Sequence, residues 1–476
     1  MRHAYLYILV VLGNGLTISA AHSDPLGTAA MPRKSASSQH GVAAEPCAAQ
    51  SPDHPLDLPE VVDFALCNNP QTHEVWANTR AQEAQVGVNQ AGYYPDISLN
   101  AVGIRTKTDT SSSVDRRSVA ATLSYLLYDF GARAANLESA RQLLAAASAT
   151  QDSKVQSVFL AAVQAYYQTQ AGLAALDAAI ESERAAKQSF AAAQARYVAG
   201  SATPADKLQA QTAYSQATLN RISADGNLKN AQGTLANMLG LDANRNINLV
   251  AANTTAMPDN FEGDVNTLIE QARQRRPDLQ AATAQVQAAQ ASADAARAAG
   301  RPTVSLTAST DQNNVAGINS RSSTLGINLS VPIFTGYATT YRVRAAEAQT
   351  DAMNARLEQL RLQVSLDVWT AYQHLITATQ LLRTTVDLLS SAEQSERVAL
   401  GRYRAGVGSI LDVLNAQSAL ASARQQRIQS TFDWNINRAA LAQAMGSLDA
   451  SLLQTLPDTS QTGSGNPQSD VNSIQN

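Results

Sequence analysis

The chain is written twice, and that duplication constrains its fold more than any single motif. The stretch "ARYVAGSATPADKLQAQTAY" (195–214) returns as "GRYRAGVGSILDVLNAQSAL" (401–420). Tyr403 follows Tyr197 by 206 positions, as Gly406 follows Gly200, Asp412 follows Asp206, Gln417 follows Gln211 and Gly446 follows Gly240. Further upstream, Pro277, Pro302 and Leu306 follow Pro70, Pro95 and Leu99 by 207. A unit of about 200 residues is too long for a solenoid module, so each copy is a whole structural half.

Both halves spell the same order of elements. "NPQTHEVWANTRAQEAQVGVNQAGYYP" and "RPDLQAATAQVQAAQASADAARAAGRP" each begin at a proline and end at Gly with Pro, which predicts a helix with start and stop signals. The period then changes to two. Ile97, Leu99 and Ala101 alternate with polar residues, as do Leu325, Ile327, Leu329 and Val331, which predicts a hairpin in each half. After Gly131 and Gly336 the helical pattern returns. From Tyr337 to Leu400 there is no Gly or Pro, and Trp369, Tyr372 and Ile376, then Leu382, Val386 and Leu389, keep spacings of three and four. Those 64 residues would form a rod roughly 95 Å long, which cannot fold into a compact globule.

Only 5% of the residues are aromatic although 45% are hydrophobic. Alanine and glutamine recur instead, so helices approach through small side chains. The formal charge of −4 and the absence of a basic run exclude a nucleic-acid partner. Arg2, an apolar run from Ala4 to Leu16 and the small residues Ser19, Ala20 and Ala21 read as a secretory signal peptide over 1–23. Export places the two cysteines in an oxidising compartment, and the even count predicts a Cys47–Cys67 disulfide. No phosphate loop, nucleophile elbow, catalytic carboxylate pair or histidine cluster with metal spacing occurs. The reading is therefore a protein that is not an enzyme, with no cofactor and no metal site.

Four strands of about ten residues suit the span of a bilayer when tilted, and alternation suits a barrel with lipid outside and water inside. Four strands cannot close, and an open edge in lipid leaves backbone groups unsatisfied, so such a chain must oligomerise. On periodicity alone, a soluble pair of hairpins capping a helical bundle accounts for the pattern equally well. An export signal with barrel-like strands and very long helices favours the envelope.

This plan, with "ALCNNP", "SYLLYDFG", "VPIFTG" and "RYRAGVGSILDVLNAQ", resembles the TolC family of outer-membrane channel-tunnels over residues 56–455. The resemblance implies a mostly α protein with a transmembrane β-barrel, built as a homotrimer. Three copies of the duplicated helix–hairpin–long helix–helix unit would give a 12-stranded barrel, continued by a 12-helix tunnel through the periplasm. "LCNNPQT" and the paired cysteines further resemble type I secretion members, passive ducts for an RTX-type toxin that work with an inner-membrane ABC transporter and a periplasmic adaptor.

The expected organisation is a signal peptide (1–23), an N-terminal linker (24–55), a first repeat (56–240, strands about 96–128) and an inter-repeat segment (241–263). A second repeat (264–446, strands about 303–333) and a C-terminal segment with a polar tail (447–476) complete it. In the family, the turns after the long helices shut the tunnel at its periplasmic tip; here they carry Gly200 and Gly406. "TPAD" and "SILD" read locally as capping boxes. By resemblance, Asp412 matches an anionic constriction, and Asp206 with Tyr403 matches a pair whose hydrogen bond holds neighbouring helices closed. Asn415 stands where the family pattern has a second acidic ring, and Gly408 where it has a locking arginine. The alternatives are a multidrug or metal efflux outlet of the same architecture and, from another class, a periplasmic coiled-coil adaptor or scaffold.

Overall fold

The computed structural model describes residues 54–109, 111–250 and 264–448. The expected signal peptide, most of the linker and of the inter-repeat segment, the polar tail and Cys47 lie outside the described residues. Each half contains the same four helices at matching lengths. In the first, α1 spans Leu58–Asn68, α2 Pro70–Ala91, α3 Ala132–Val198 and α4 Pro204–Met238. In the second, α5 spans Val265–Arg275, α6 Pro277–Ala298, α7 Ala338–Arg404 and α8 Ile410–Ala444. Strands β1 (Asp96–Thr108) and β2 (Ser111–Tyr128) separate α2 from α3, and β3 (Thr303–Val315) and β4 (Ile318–Ser330) separate α6 from α7.

The chain forms two compact units. One contains the strands together with 78–95, 129–145, 284–302 and 331–353. Its sheet is antiparallel throughout in the order β1-β2-β3-β4, so β1 and β4 are edges. The tip of the second hairpin is a two-residue turn in which Ala316 (φ 51°) and Gly317 (φ 88°) are both left-handed, the geometry that matches strand twist.

Register sorts the sheet into two faces. Ile97, Leu123, Ala308 and Leu325 share one row, and beside it run Tyr125, Leu306 and Ile327. The other face carries Ser98, Thr122, Ser309 and Thr324 in one row and Asn100, Ala120, Asp311 and Ser322 in the next. A bulge at Leu127 puts Tyr128 in register with Val304 and Leu329, on the apolar face. Aromatics gather where strands meet helices. Tyr128 packs edge-on to Phe130 at 4.7 Å, and Phe334 edge-on to Tyr337 at 5.6 Å.

The second unit holds α1, α4, α5, α8 and the remaining lengths of α3 and α7. Its core joins Val61, Val62 and Ala65 of α1 to Val158, Val163 and Tyr167 of α3, Leu235 of α4 and Phe432 and Ala439 of α8. The duplication repeats at close quarters. Gly240 (φ 73°) ends the first helical hairpin where a Cβ would lie 2.5 Å from the Asn68 carbonyl oxygen, at the end of α1. Its counterpart Gly446 (φ 69°) sits where a Cβ would lie 3.0 Å from Arg276, at the end of α5. Arg276 there bonds Asp278 at 2.6 Å and Asp367 of α7 at 2.9 Å.

The apolar stripe expected on α7 is displaced by one residue in its first part. Val364, Val368, Leu375 and Leu382 are buried, whereas Trp369 is 48% exposed. Val368 takes the inward position, and a neighbour 100° further round the helix cannot share it.

Candidate functional site

The two repeated turns are built alike. Helix α3 ends with Gly200 (φ 74°), whose N–H donates to the Tyr197 carbonyl at 3.0 Å, while Ser201 N–H donates to the Arg196 carbonyl at 2.9 Å. Helix α7 ends with Gly406 (φ 81°), donating to Tyr403 at 3.1 Å, and Val407 donating to Arg402 at 3.0 Å. The left-handed conformation that releases these carbonyls to the turn is one glycine adopts without strain.

After each turn a capping box starts the next helix. Asp206 N–H donates to Thr203 Oγ1 at 3.2 Å, and Asp206 Oδ2 accepts from the Thr203 N–H and hydroxyl, each at 2.9 Å. In the second copy Asp412 N–H donates to Ser409 Oγ at 3.1 Å, and Asp412 Oδ2 accepts from Ser409 N–H at 3.2 Å. The hydrogen bonds from Ser409 and the nearby charge of Arg402 hold the Asp412 carboxyl below its ordinary range. Asp412 and Asn415 are both exposed, three residues apart on one side of α8.

Tyr403 sits at the centre of an apolar cluster from four helices: Ala193 of α3, Ala210 of α4, and Ile410 and Val413 of α8. Its ring is 6% exposed. The expected Tyr403–Asp206 hydrogen bond is not formed within this chain. Asp206 turns back to cap its own helix, and the Tyr403 hydroxyl is buried with no partner among the described residues.

Arg196, in the last turn of α3, occupies that ground instead. Its guanidinium lies 4.1 Å from the centre of the Tyr403 ring, and Nη2 donates to the Tyr403 carbonyl at 2.6 Å. Gly408, where the family pattern has an arginine, is packed against the end of α7, since an added Cβ would meet Arg402 at 3.0 Å. A guanidinium therefore reaches Tyr403 from the other half of the chain. No local pattern in the sequence marks Arg196, because its partner is 207 residues away.

The sequence profile of outer membrane efflux proteins matches residues 61–241 and 268–447, one match per repeat. The chain belongs to this family. Among its relatives, Protein CyaE of Bordetella pertussis is 34% identical over 411 residues, covering 84% of this chain and 86% of its own. The probable efflux pump outer membrane protein TtgC of Pseudomonas putida is 25% identical over 410 residues, covering 83% of each chain. In solved structures the fold recurs in the Campylobacter jejuni CmeC outer membrane channel, with a TM-score of 0.74 at 19% identity over 85% of this chain and 90% of that one. The protein is thus an outer-membrane efflux or secretion channel of the TolC family. Cys67 takes part in a disulfide; its expected partner Cys47 lies outside the described residues. Among those residues no helix is long and apolar enough to cross a membrane.

Proposed function

We propose that this protein is the outer-membrane outlet of a type I secretion system, a passive duct for a protein of the RTX toxin class. Supporting this over small-molecule efflux is the identity to CyaE, 34% against 25% for the efflux protein TtgC at similar coverage. An inner-membrane ABC transporter supplies the energy, and a periplasmic adaptor joins it to the channel.

Oligomerisation is supported by two sets of unsatisfied surface. Strands β1 and β4 leave backbone edges that lipid cannot satisfy. On α7, Leu362, Leu366 and Trp369 stand exposed at spacings of four and three, a second apolar stripe beside the buried one. Three copies close twelve strands, with the apolar face of the sheet toward lipid and the Ser, Thr and Asn face toward the lumen. The paired turns then form the periplasmic gate, where Gly200 and Gly406 give the bends, Asp412 and Asn415 face the constriction, and Arg196 on Tyr403 ties the first helical hairpin to the second.

Expression in a strain lacking its own outer-membrane channel, together with an RTX exporter and its adaptor, tests this reading. Toxin in the medium is expected. Restored resistance to small toxic compounds without toxin release would favour the efflux alternative, and a monomer in the soluble periplasm would favour the scaffold.

A further inference from the structure

Beyond the apolar rows, the same face of the sheet ends in arginines. Ala101, Val119, Gln312 and Arg321 share one row; Gly103, Arg117, Asn314 and Asn319 share the next; and Arg105 with Asp115 the one after. The arginine position thus steps by one row from β1 to β2 and lies lower again on β4. The limit of the aliphatic residues steps in the same sense, from Ala101 and Val119 on the first hairpin to Ala308 and Leu325 on the second. A line that crosses the rows obliquely is what a level surface traces on tilted strands.

Along β2 the apolar face runs from Val119 to Tyr128, roughly 30 Å of strand at about 3.4 Å per residue. Tilted by about 40°, that becomes a band of roughly 23 Å, close to the ~25 Å apolar belt of outer-membrane barrels. Its lower border carries Tyr128 and Phe130, and its upper border carries the arginines. Arg117 faces Gly103, above which a Cβ would meet nothing within 4 Å, so its guanidinium is not crowded from that side. Arg105 pairs with Asp115 at 3.1 Å with 72% of its side chain exposed. Arg117 and Arg321 are exposed and form no ion pair among the described residues.

We propose that Arg117 and Arg321 form a binding surface for the phosphate groups of the outer-leaflet glycolipid. A guanidinium presents a planar fork that matches phosphate oxygens. A cation held at the edge of an apolar band meets the headgroups of lipids whose chains cover that band. The inference rests on the barrel reading above. Arg116 provides the contrast: it is also exposed, one residue away, but in register with Ile104 on the polar face.

The test uses full-length trimers in vesicles doped with lipid A, or with lipid A whose phosphates have been removed, and measures the glycolipid retained after detergent extraction. Trimers of the parent should retain lipid A over its dephosphorylated form. R117Q and R321Q should each lose about fivefold of that preference, while R116Q keeps it. Equal losses in R116Q and R117Q, or no preference in the parent, would overturn the inference. Retention of phosphatidylglycerol equal to that of lipid A would overturn its assignment to the outer-leaflet lipid. Failure of the parent to form heat-stable, conducting trimers would instead remove the barrel reading, so the two failures are distinct.

Discussion

Replacing Arg196 with alanine should loosen the proposed gate while leaving the channel folded. The guanidinium stacks on Tyr403 at 4.1 Å and donates to its carbonyl at 2.6 Å. A cation–π contact contributes about 0.5–2 kcal/mol, and a charged hydrogen bond adds to it. Arg196 is partly exposed, so the lower end applies, about 1 kcal/mol per chain. Three such contacts, lost together on opening, sum to about 3 kcal/mol per trimer, more than a hundredfold in the ratio of closed to open states. Arg196→Ala trimers in a planar bilayer should therefore show a higher resting conductance than the parent. Tyr403→Phe should conduct like the parent, because it keeps the ring and removes only a hydroxyl that has no partner among the described residues. Folded Arg196→Ala trimers with parental conductance would refute the clamp, and increased conductance in Tyr403→Phe alone would restore the hydroxyl to the gate.

Other consequences can be measured on the same preparations. Asp412→Ala should lower cation selectivity in reversal-potential measurements. Because hydrogen bonds from Ser409 depress the Asp412 pKa, its charge and cap are retained above the ordinary carboxylate value of about 3.9 and lost as pH falls through the lowered one; selectivity should thus hold from pH 7 to pH 5. Gly240→Ala combines a left-handed φ of 73° with a 2.5 Å approach to the Asn68 carbonyl oxygen, and should cost about 1–3 kcal/mol, read as a lower Tm. Non-reducing peptide mapping of protein from the native envelope should recover Cys67 joined to Cys47, and two free thiols would refute that pairing.

What the sequence disclosed depended on the range of the interaction. The hairpins and the long helices were legible because period two, period 3.6 and the absence of Gly and Pro are local signals carried over many residues. The capping boxes at Thr203–Asp206 and Ser409–Asp412 were legible for the same reason. Helices α1 and α5, at 11 residues each, were too short to stand out beside their neighbours, although Asp57 and Asp264 cap them. The site was harder. Equivalent residues announce themselves through the duplication, but contacts between the halves do not, because the repeat relates Arg196 to Arg402 and Tyr403 to Tyr197 rather than Arg196 to Tyr403. A resemblance could place Tyr403 in the gate, yet only the structure shows that Asp206 is already committed to Thr203.

Divergence between the two copies bears on where such a duct can yield. In the first helical hairpin Glu183 of α3 bonds Arg221 of α4 at 2.8 Å and accepts from Thr218 at 2.7 Å, so the two helices are tied by charge at that level. The corresponding positions of the second copy hold Leu389, Arg427 and Arg424. There Arg427 reaches across to the Leu382 carbonyl at 2.9 Å, and the Thr385 and Ser430 hydroxyls share a hydrogen bond at 2.9 Å. A helix pair joined by a carboxylate and a guanidinium resists sliding more than one joined through a backbone carbonyl and neutral hydroxyls. Between the hairpins near the turns, polar ties among the described residues include Arg196 to the backbone of Tyr403 and Arg404, and Ser189 to Gln417 at 3.2 Å. These ties are partly exposed. Relative movement of the two hairpins near the turns would break these ties and leave the Glu183–Arg221 pair of the first hairpin in place.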